Sequence, residues 1–192
     1  MFIFDIETLG TRSDSVILSW ACIYFESGKV YNYAELYSSA FFIKLDVLDQ
    51  RKRLNRYIDR GTVDWWDKQC DLVKRKSFIP QDGDMKVEDA YYRFKEWVEE
   101  RKEGNYYVWA RGNLDQIVFD DLQKSIGLET IFNYNRWRDV RTAVDLMYNR
   151  ADGYCDIEGF DRSVVYKHDP VHDCAYDVMM LLYGKEEVDG SD

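Results

Sequence analysis

Residues 2–8 read Phe2-Ile3-Phe4-Asp5-Ile6-Glu7-Thr8. The run is short, apolar and rich in residues that favour extended backbone, so it predicts a buried β-strand. Side chains two apart in a strand leave the same face, so Asp5 and Glu7 project together. Two carboxylates in so apolar a strand need cations beside them or a solvated strand end, because burying them unpaired is costly. Taken alone, the pair fits either setting.

Working outward, residues 15–26 read as a second strand, Ser27-Gly28-Lys29 as a turn, and Val30 to Ser38 as a third strand completing a meander. Polar, basic residues 46–60 read as helical, and Thr62 is placed to cap a helix through Gln69. A short helix over 71–77 ends before the break at Pro80-Gln81-Asp82-Gly83. Residues 86–102 carry an apolar stripe (Val87, Ala90, Tyr91, Phe94, Val98) at helical spacing. Tyr106 to Ala110 is then a strand, 114–126 a helix, 134–137 a short strand and 140–149 a helix. A loop over 150–168 leads to a last helix over 172–183. Strands first, then alternating helices and strands, imply one α/β domain over 1–185 with a mixed central sheet flanked by helices. The acidic residues 186–192 are expected to form a frayed tail.

The chain has 192 residues, of which 46% are hydrophobic, 32% charged and 16% aromatic. That composition excludes a fully disordered chain. With 36 acidic against 26 basic residues the net charge is −10, which excludes a generally basic coat but not a local basic groove. Cys22, Cys70, Cys155 and Cys174 form no CxxC pair and read as reduced thiols. Cys155, His168 and His172 give half a zinc-finger spacing, and the missing second cysteine argues against a structural zinc. No apolar run reaches a membrane span and the start is not a signal peptide, so a cytoplasmic location is expected.

Two more acidic signals follow. Asp115 comes after a strand and a glycine turn, at a helix start, where the helix dipole favours an acid. His172 and Asp177 stand five apart in His168-Asp169-Pro170-Val171-His172-Asp173-Cys174-Ala175-Tyr176-Asp177. Five residues turn a helix side chain by about 140°, so His172 is expected at the helix start and Asp177 one turn inside. Taken together, the order of these groups resembles the DEDDh group of 3′–5′ exonucleases, built on the ribonuclease-H-like fold. Phe4 to Thr8 matches its first motif, the passage into Asp115 its second, and His172 to Asp177 its third. A nearer resemblance, to the phage DNA exonuclease A (DexA) type, rests on Trp109-Ala110-Arg111-Gly112-Asn113-Leu114-Asp115, Arg138-Asp139-Val140-Arg141-Thr142 and His168 to Ala175. It spans residues 3 to about 183. Leu114 departs from it, standing where the group commonly has an aromatic residue.

The resemblance implies two divalent ions, Mg²⁺ or Mn²⁺, held by Asp5, Glu7, Asp115 and Asp177, a donor set of hard oxygens. It implies His172 as general base on the attacking water. It implies single-stranded DNA or RNA 3′ ends as substrate, DNA favoured, with nucleoside 5′-monophosphate as product. A virus-encoded enzyme would act in its host's cytoplasm. Thr8 and Leu9 would meet the last nucleotide. Trp65 and Trp66 lie about 100° apart on a helix, so one of them, taken as Trp65, could stack a base while the other packs inward. Arg51 to Arg60 and Lys74 to Lys76 could follow the phosphate backbone or form a solvated face. Monomer and homodimer both stay open. Two other classes use similar residues, a binding module without catalysis and a phosphohydrolase of free nucleotides. All five catalytic groups are present, which argues against the first; the aromatic and basic segments suit a polymer better than the second.

Overall fold

The computed structural model describes residues 1–185, and the expected acidic tail, 186–192, lies outside the described residues. Strands β1 (Phe2–Thr8) and β2 (Ile17–Tyr24) are followed by helix α1 (Tyr33–Ser39), β3 (Phe41–Lys44), α2 (Val47–Leu54) and α3 (Arg60–Trp66). A single turn α4 (Asp71–Val73) runs into a π-turn, Lys74–Phe78, and then come α5 (Val87–Glu99), β4 (Val108–Ala110) and α6 (Leu114–Ser125). The chain continues through β5 (Trp137–Asp139), α7 (Val140–Tyr148), β6 (Asp156–Ile157), α8 (Pro170–Tyr183) and β7 (Gly184–Lys185). Five strands form one mixed sheet in the order β3-β2-β1-β4-β5, with β6 and β7 paired apart. The first three strands are antiparallel neighbours; β4 and β5 join parallel to β1 and to each other. This is an α/β fold with a mixed five-stranded sheet flanked by helices, consistent with the ribonuclease-H-like fold.

The alternation in β1 places it at the centre. Phe2, Phe4 and Ile6 enter one core with Trp20 of β2, Phe94 of α5 and Phe119 of α6. Ile3, on the opposite face, enters a second core with Ala21 and Ile23 of β2 and Cys174, Ala175 and Val178 of α8. Asp5 and Glu7 share the face of Ile3, so the sheet aims both carboxylates beneath α8.

Several boundaries differ from the sequence reading: the helix expected over 46–60 ends at Leu54, and Tyr134–Arg136 forms a 3-10 turn ahead of the strand expected there. The third strand is not Val30–Ser38. Asn32 accepts a hydrogen bond from the Glu35 N–H at 2.9 Å, and the Glu35 carboxylate accepts one from the Asn32 N–H at 3.0 Å. This reciprocal capping starts a helix there and moves the strand to Phe41–Lys44. The cap of α3 is Asp59, whose carboxylate accepts from the Thr62 N–H at 2.7 Å, rather than Thr62 itself. The last helix starts two residues early, with Asp169 as cap and Pro170 in its first turn.

Candidate active site

A cavity of about 680 Å³ opens over the Asp5–Glu7 face of β1, beside α8 and the starts of α6 and α7. Each acid reaches it for a local reason. Asp5 and Glu7 come from the strand alternation. Asp115 comes from the tight turn between β4 and α6, where Gly112 takes φ +79 and donates its N–H to Asp139 Oδ1 at 3.0 Å. Asp173 and Asp177 lie four apart on α8 and so share a face. Glu7, Asp115 and Asp177 are almost wholly buried, at 8%, 6% and 5% exposure.

Burial and mutual repulsion dominate the electrostatics. Burial, followed by the charges of Asp115 and Glu7, holds Asp5 far above the usual carboxylate range. Burial and the neighbouring Asp173 do the same to Glu7. Burial and Asp177 push Asp115 up to about 8, and burial with Asp177 pushes Asp173 up to about 7. Asp177 also rises, to about 6, but here Arg111 opposes the rise. The guanidinium of Arg111 donates from Nε to Asp177 Oδ1 at 2.9 Å, with Nη2 2.8 Å from the same oxygen. Its Nη1 donates to the Gly153 carbonyl at 3.0 Å and its head lies over the Tyr154 ring at 4.1 Å.

The structure brings Asp5, Glu7, Asp115 and Asp177 to one cavity, and it does not bring His172 there. The Tyr33 hydroxyl and His172 Nδ1 instead share a hydrogen bond at 2.5 Å, with burial raising the phenol and lowering the imidazole. The His172 ring also packs on Tyr37, 4.6 Å between centroids. The histidine in the cavity is His168, which the sequence reading passed over together with Asp173. Ligand atoms of Glu7, His168 and Asp173 all lie within 4.8 Å of one another. His168 sits just before the cap of α8 with φ +68, a left-handed backbone uncommon outside glycine and concentrated at functional positions. Its N–H donates to Asp173 Oδ2 at 2.8 Å, which fixes both groups. Burial and neighbouring Lys167 lower its imidazole, keeping it neutral. A signal for this pair was present, since His168 and Asp173 also stand five apart, in a second, overlapping H-x4-D.

The predicted substrate contacts divide. Trp65 is 39% exposed and meets the His168 ring edge-on at 4.7 Å, whereas Trp66 is buried and donates from Nε1 to the Thr8 carbonyl at 3.0 Å. Thr8 turns its hydroxyl to the Gly10 carbonyl at 2.7 Å. Leu9 is 4% exposed, packed with Val16, Leu18, Trp66 and Val73, which leaves it little surface to offer a base.

The donor set suits a hard divalent cation: buried carboxylate oxygens with one imidazole beside them. Asp5 Oδ2 and Asp115 Oδ2 are both buried without a hydrogen-bond partner, as ligand atoms awaiting an ion would be. An acidic cleft at the central strand of a mixed α/β sheet suits metal-assisted hydrolysis, and the likeness to known proteins gives the class, a nuclease. The chain matches the 3′–5′ exoribonuclease Rv2179c-like domain over residues 1–183, and it belongs to that family, of DEDDh type. It is also 27% identical, over 95% of its own length and 87% of the relative's, to a protein of Enterobacteria phage T4 named exodeoxyribonuclease.

Proposed function

We propose that this chain is a metal-dependent 3′–5′ exonuclease that removes nucleoside 5′-monophosphates from single-stranded ends, with DNA as the preferred substrate. The observation that carries the reading is the buried acidic cluster with its two unpartnered oxygens, in a chain of an exonuclease family. The phage relative's name favours DNA; the family's description favours RNA, which is the second reading.

Asp5, Glu7, Asp115 and Asp173 would hold two ions, Mg²⁺ or Mn²⁺. Bound there, the ions would supply Lewis-acid stabilisation of the charge that develops on phosphate and leaving oxygen. His168, neutral and at the cavity wall, accepts the proton of the attacking water on a ring nitrogen. The water oxygen bonds to phosphorus as the bond from phosphorus to the 3′ oxygen of the preceding nucleotide breaks. That oxygen leaves with a proton from solvent. Asp177 keeps Arg111 in place, and Arg111 in turn ties the Gly153–Tyr154 segment to the cavity. Trp65, beside His168, offers an edge of the site to the terminal base.

The test is a gel assay on matched 5′-labelled single-stranded DNA and RNA with Mg²⁺ or Mn²⁺. A ladder shortening from the 3′ end, abolished by EDTA and by Asp5→Asn, is expected, and faster on DNA. Intact oligonucleotides with both metals would sink the proposal.

A further inference from the structure

A groove of about 520 Å³ runs between the edge strand β3, the π-turn at Lys74–Phe78 and α5. Its walls carry Lys44, Arg75, Lys76 and Arg93, with Asp84 among them. Asp84 lies 3.5 Å from Lys44 Nζ, so that charge is answered. Arg75 and Arg93 are exposed, and among the described residues neither they nor Lys76 form an ion pair. Three cations in one groove without an ion pair among the described residues stand out in a chain of net charge −10. The turn that supplies two of them is π-helical, a conformation that recurs at functional sites.

The groove lies near the active cavity, though the two share no lining residue. Phe42 pairs across β2 with Ala21, and Ala21 with Asp5 across β1, so Phe42 lies two strands from Asp5. At the usual strand spacing that is about 10 Å. Lys76 Nζ stands 4.3 Å over the Phe42 ring and 5.9 Å from that of Tyr37. Tyr37 packs on His172 at 4.6 Å, and His172 on Tyr166 at 5.2 Å. Tyr166 is 44% exposed, two residues before His168. A run of aromatic rings, Tyr166, His172, Tyr37 and Phe42, with Lys76 over its far end, therefore leads from beside His168 to the groove. Single-stranded nucleic acid is bound by this combination: cations track the phosphates and rings accept bases of any sequence.

We propose that this groove is an upstream single-strand site. It holds the phosphodiester backbone of nucleotides lying 5′ to the one being removed, so that long strands are engaged more tightly than short ones. The proposal rests on the exonuclease reading of the neighbouring cavity. The groove carries no group of that cavity, so the two can be tested apart.

The experiment compares wild type with the Arg75→Ala/Arg93→Ala and Arg75→Glu/Arg93→Glu proteins on a dinucleotide and a 5′-fluorescent 20-mer DNA. The expected result is a fall of about tenfold or more in kcat/KM on the 20-mer and an unchanged value on the dinucleotide. Binding of the 20-mer is read separately by fluorescence anisotropy in EDTA, where no cleavage is needed. There the salt slope of log K should flatten by about 1.4 for two lost single-strand phosphate contacts, at about 0.7 each. Equal falls on both substrates, or an unchanged 20-mer, would overturn the proposal. So would tighter wild-type binding of a polyglutamate peptide than of the 20-mer, which would mark an acidic protein partner instead. If no protein cleaves either substrate but the anisotropy difference persists, the exonuclease reading fails and the groove stands.

Discussion

Replacing each histidine of the overlapping motif in turn separates the two assignments. His168→Asn is the cleaner change at the first, because asparagine tolerates the left-handed backbone at φ +68 better than alanine does. Removing a general base costs about 10²–10⁴-fold, which is about 3–5 kcal/mol of transition-state stabilisation at about 1.4 kcal/mol per decade. His172→Ala removes instead a hydrogen bond with the half-buried Tyr33 phenol, 2.5 Å away, and ring contacts with Tyr37 and Tyr166. Water can reach that phenol, so the lost bond is worth about 1 kcal/mol of stability, or about 2–4 °C in Tm for a chain of this length. The assay is single-turnover cleavage of a 5′-labelled dinucleotide at saturating metal, beside a thermal melt of each protein. A dinucleotide is chosen because His172 lies along the path to the β3 groove, which a short substrate does not reach. The expected result is a rate lowered by about 10²-fold or more for His168→Asn, with Tm little changed. For His172→Ala the rate should stay within about twofold while Tm falls. The reverse pattern, with His172→Ala inactive and His168→Asn near wild type, would refute the reasoning and return the base to His172.

The acidic cluster links pH, metal and stability. Asp5, Glu7, Asp115 and Asp173 have folded-state pKa values raised by burial, so the metal-free folded protein holds more protons than the unfolded chain. Its stability should therefore be fully present below about pH 4 from these groups and fall as pH rises towards about 8, seen as a lower Tm in EDTA at pH 8 than at pH 5.5. Mn²⁺ at about 100 times its dissociation constant should restore about 2.7 kcal/mol at pH 8, or about 5–11 °C, and a melt insensitive to Mn²⁺ would contradict the ligand assignment. Asp173→Asn should raise Tm in EDTA, because it relieves repulsion, and should abolish the Mn²⁺ shift. Asp177→Asn should instead destabilise the protein in EDTA by about 3 kcal/mol or more, a Tm lower by about 6 °C or more, because it strands the buried Arg111 guanidinium. Gly153→Ala should raise KM and lower Tm, since a Cβ there, at φ +72, would lie 2.7 Å from Arg141 Cγ at the cavity wall; steady-state kinetics and a melt check both.

The parts of this fold that could be read from sequence are those in which one periodicity acts alone. In β1 a period of two sorts three apolar residues to one face and two carboxylates to the other, and no competing pattern exists. Residues 30–38 are harder, because their tyrosines suit extended backbone while Asn32 and Glu35 cap a helix, and the cap wins by satisfying two backbone donors. The basic stretch 51–60 shows a further limit, since charge along the chain does not say which charges are answered. Arg56 is 2% exposed and spends its guanidinium on Asp121 and three backbone carbonyls. At the site the difficulty is degeneracy. Asp173 and Asp177 share a helix face, each preceded by a histidine at the same spacing, so spacing cannot choose between the two pairs. Two tertiary facts favour the His168–Asp173 pair. Arg111, 66 residues from Asp177 in sequence, occupies that carboxylate, and the backbone at His168 turns left-handed before the helix starts, setting its imidazole beside Glu7. Neither fact has a local signature, so the four-acid pattern could identify the chemistry while leaving open which histidine and which aspartate perform it.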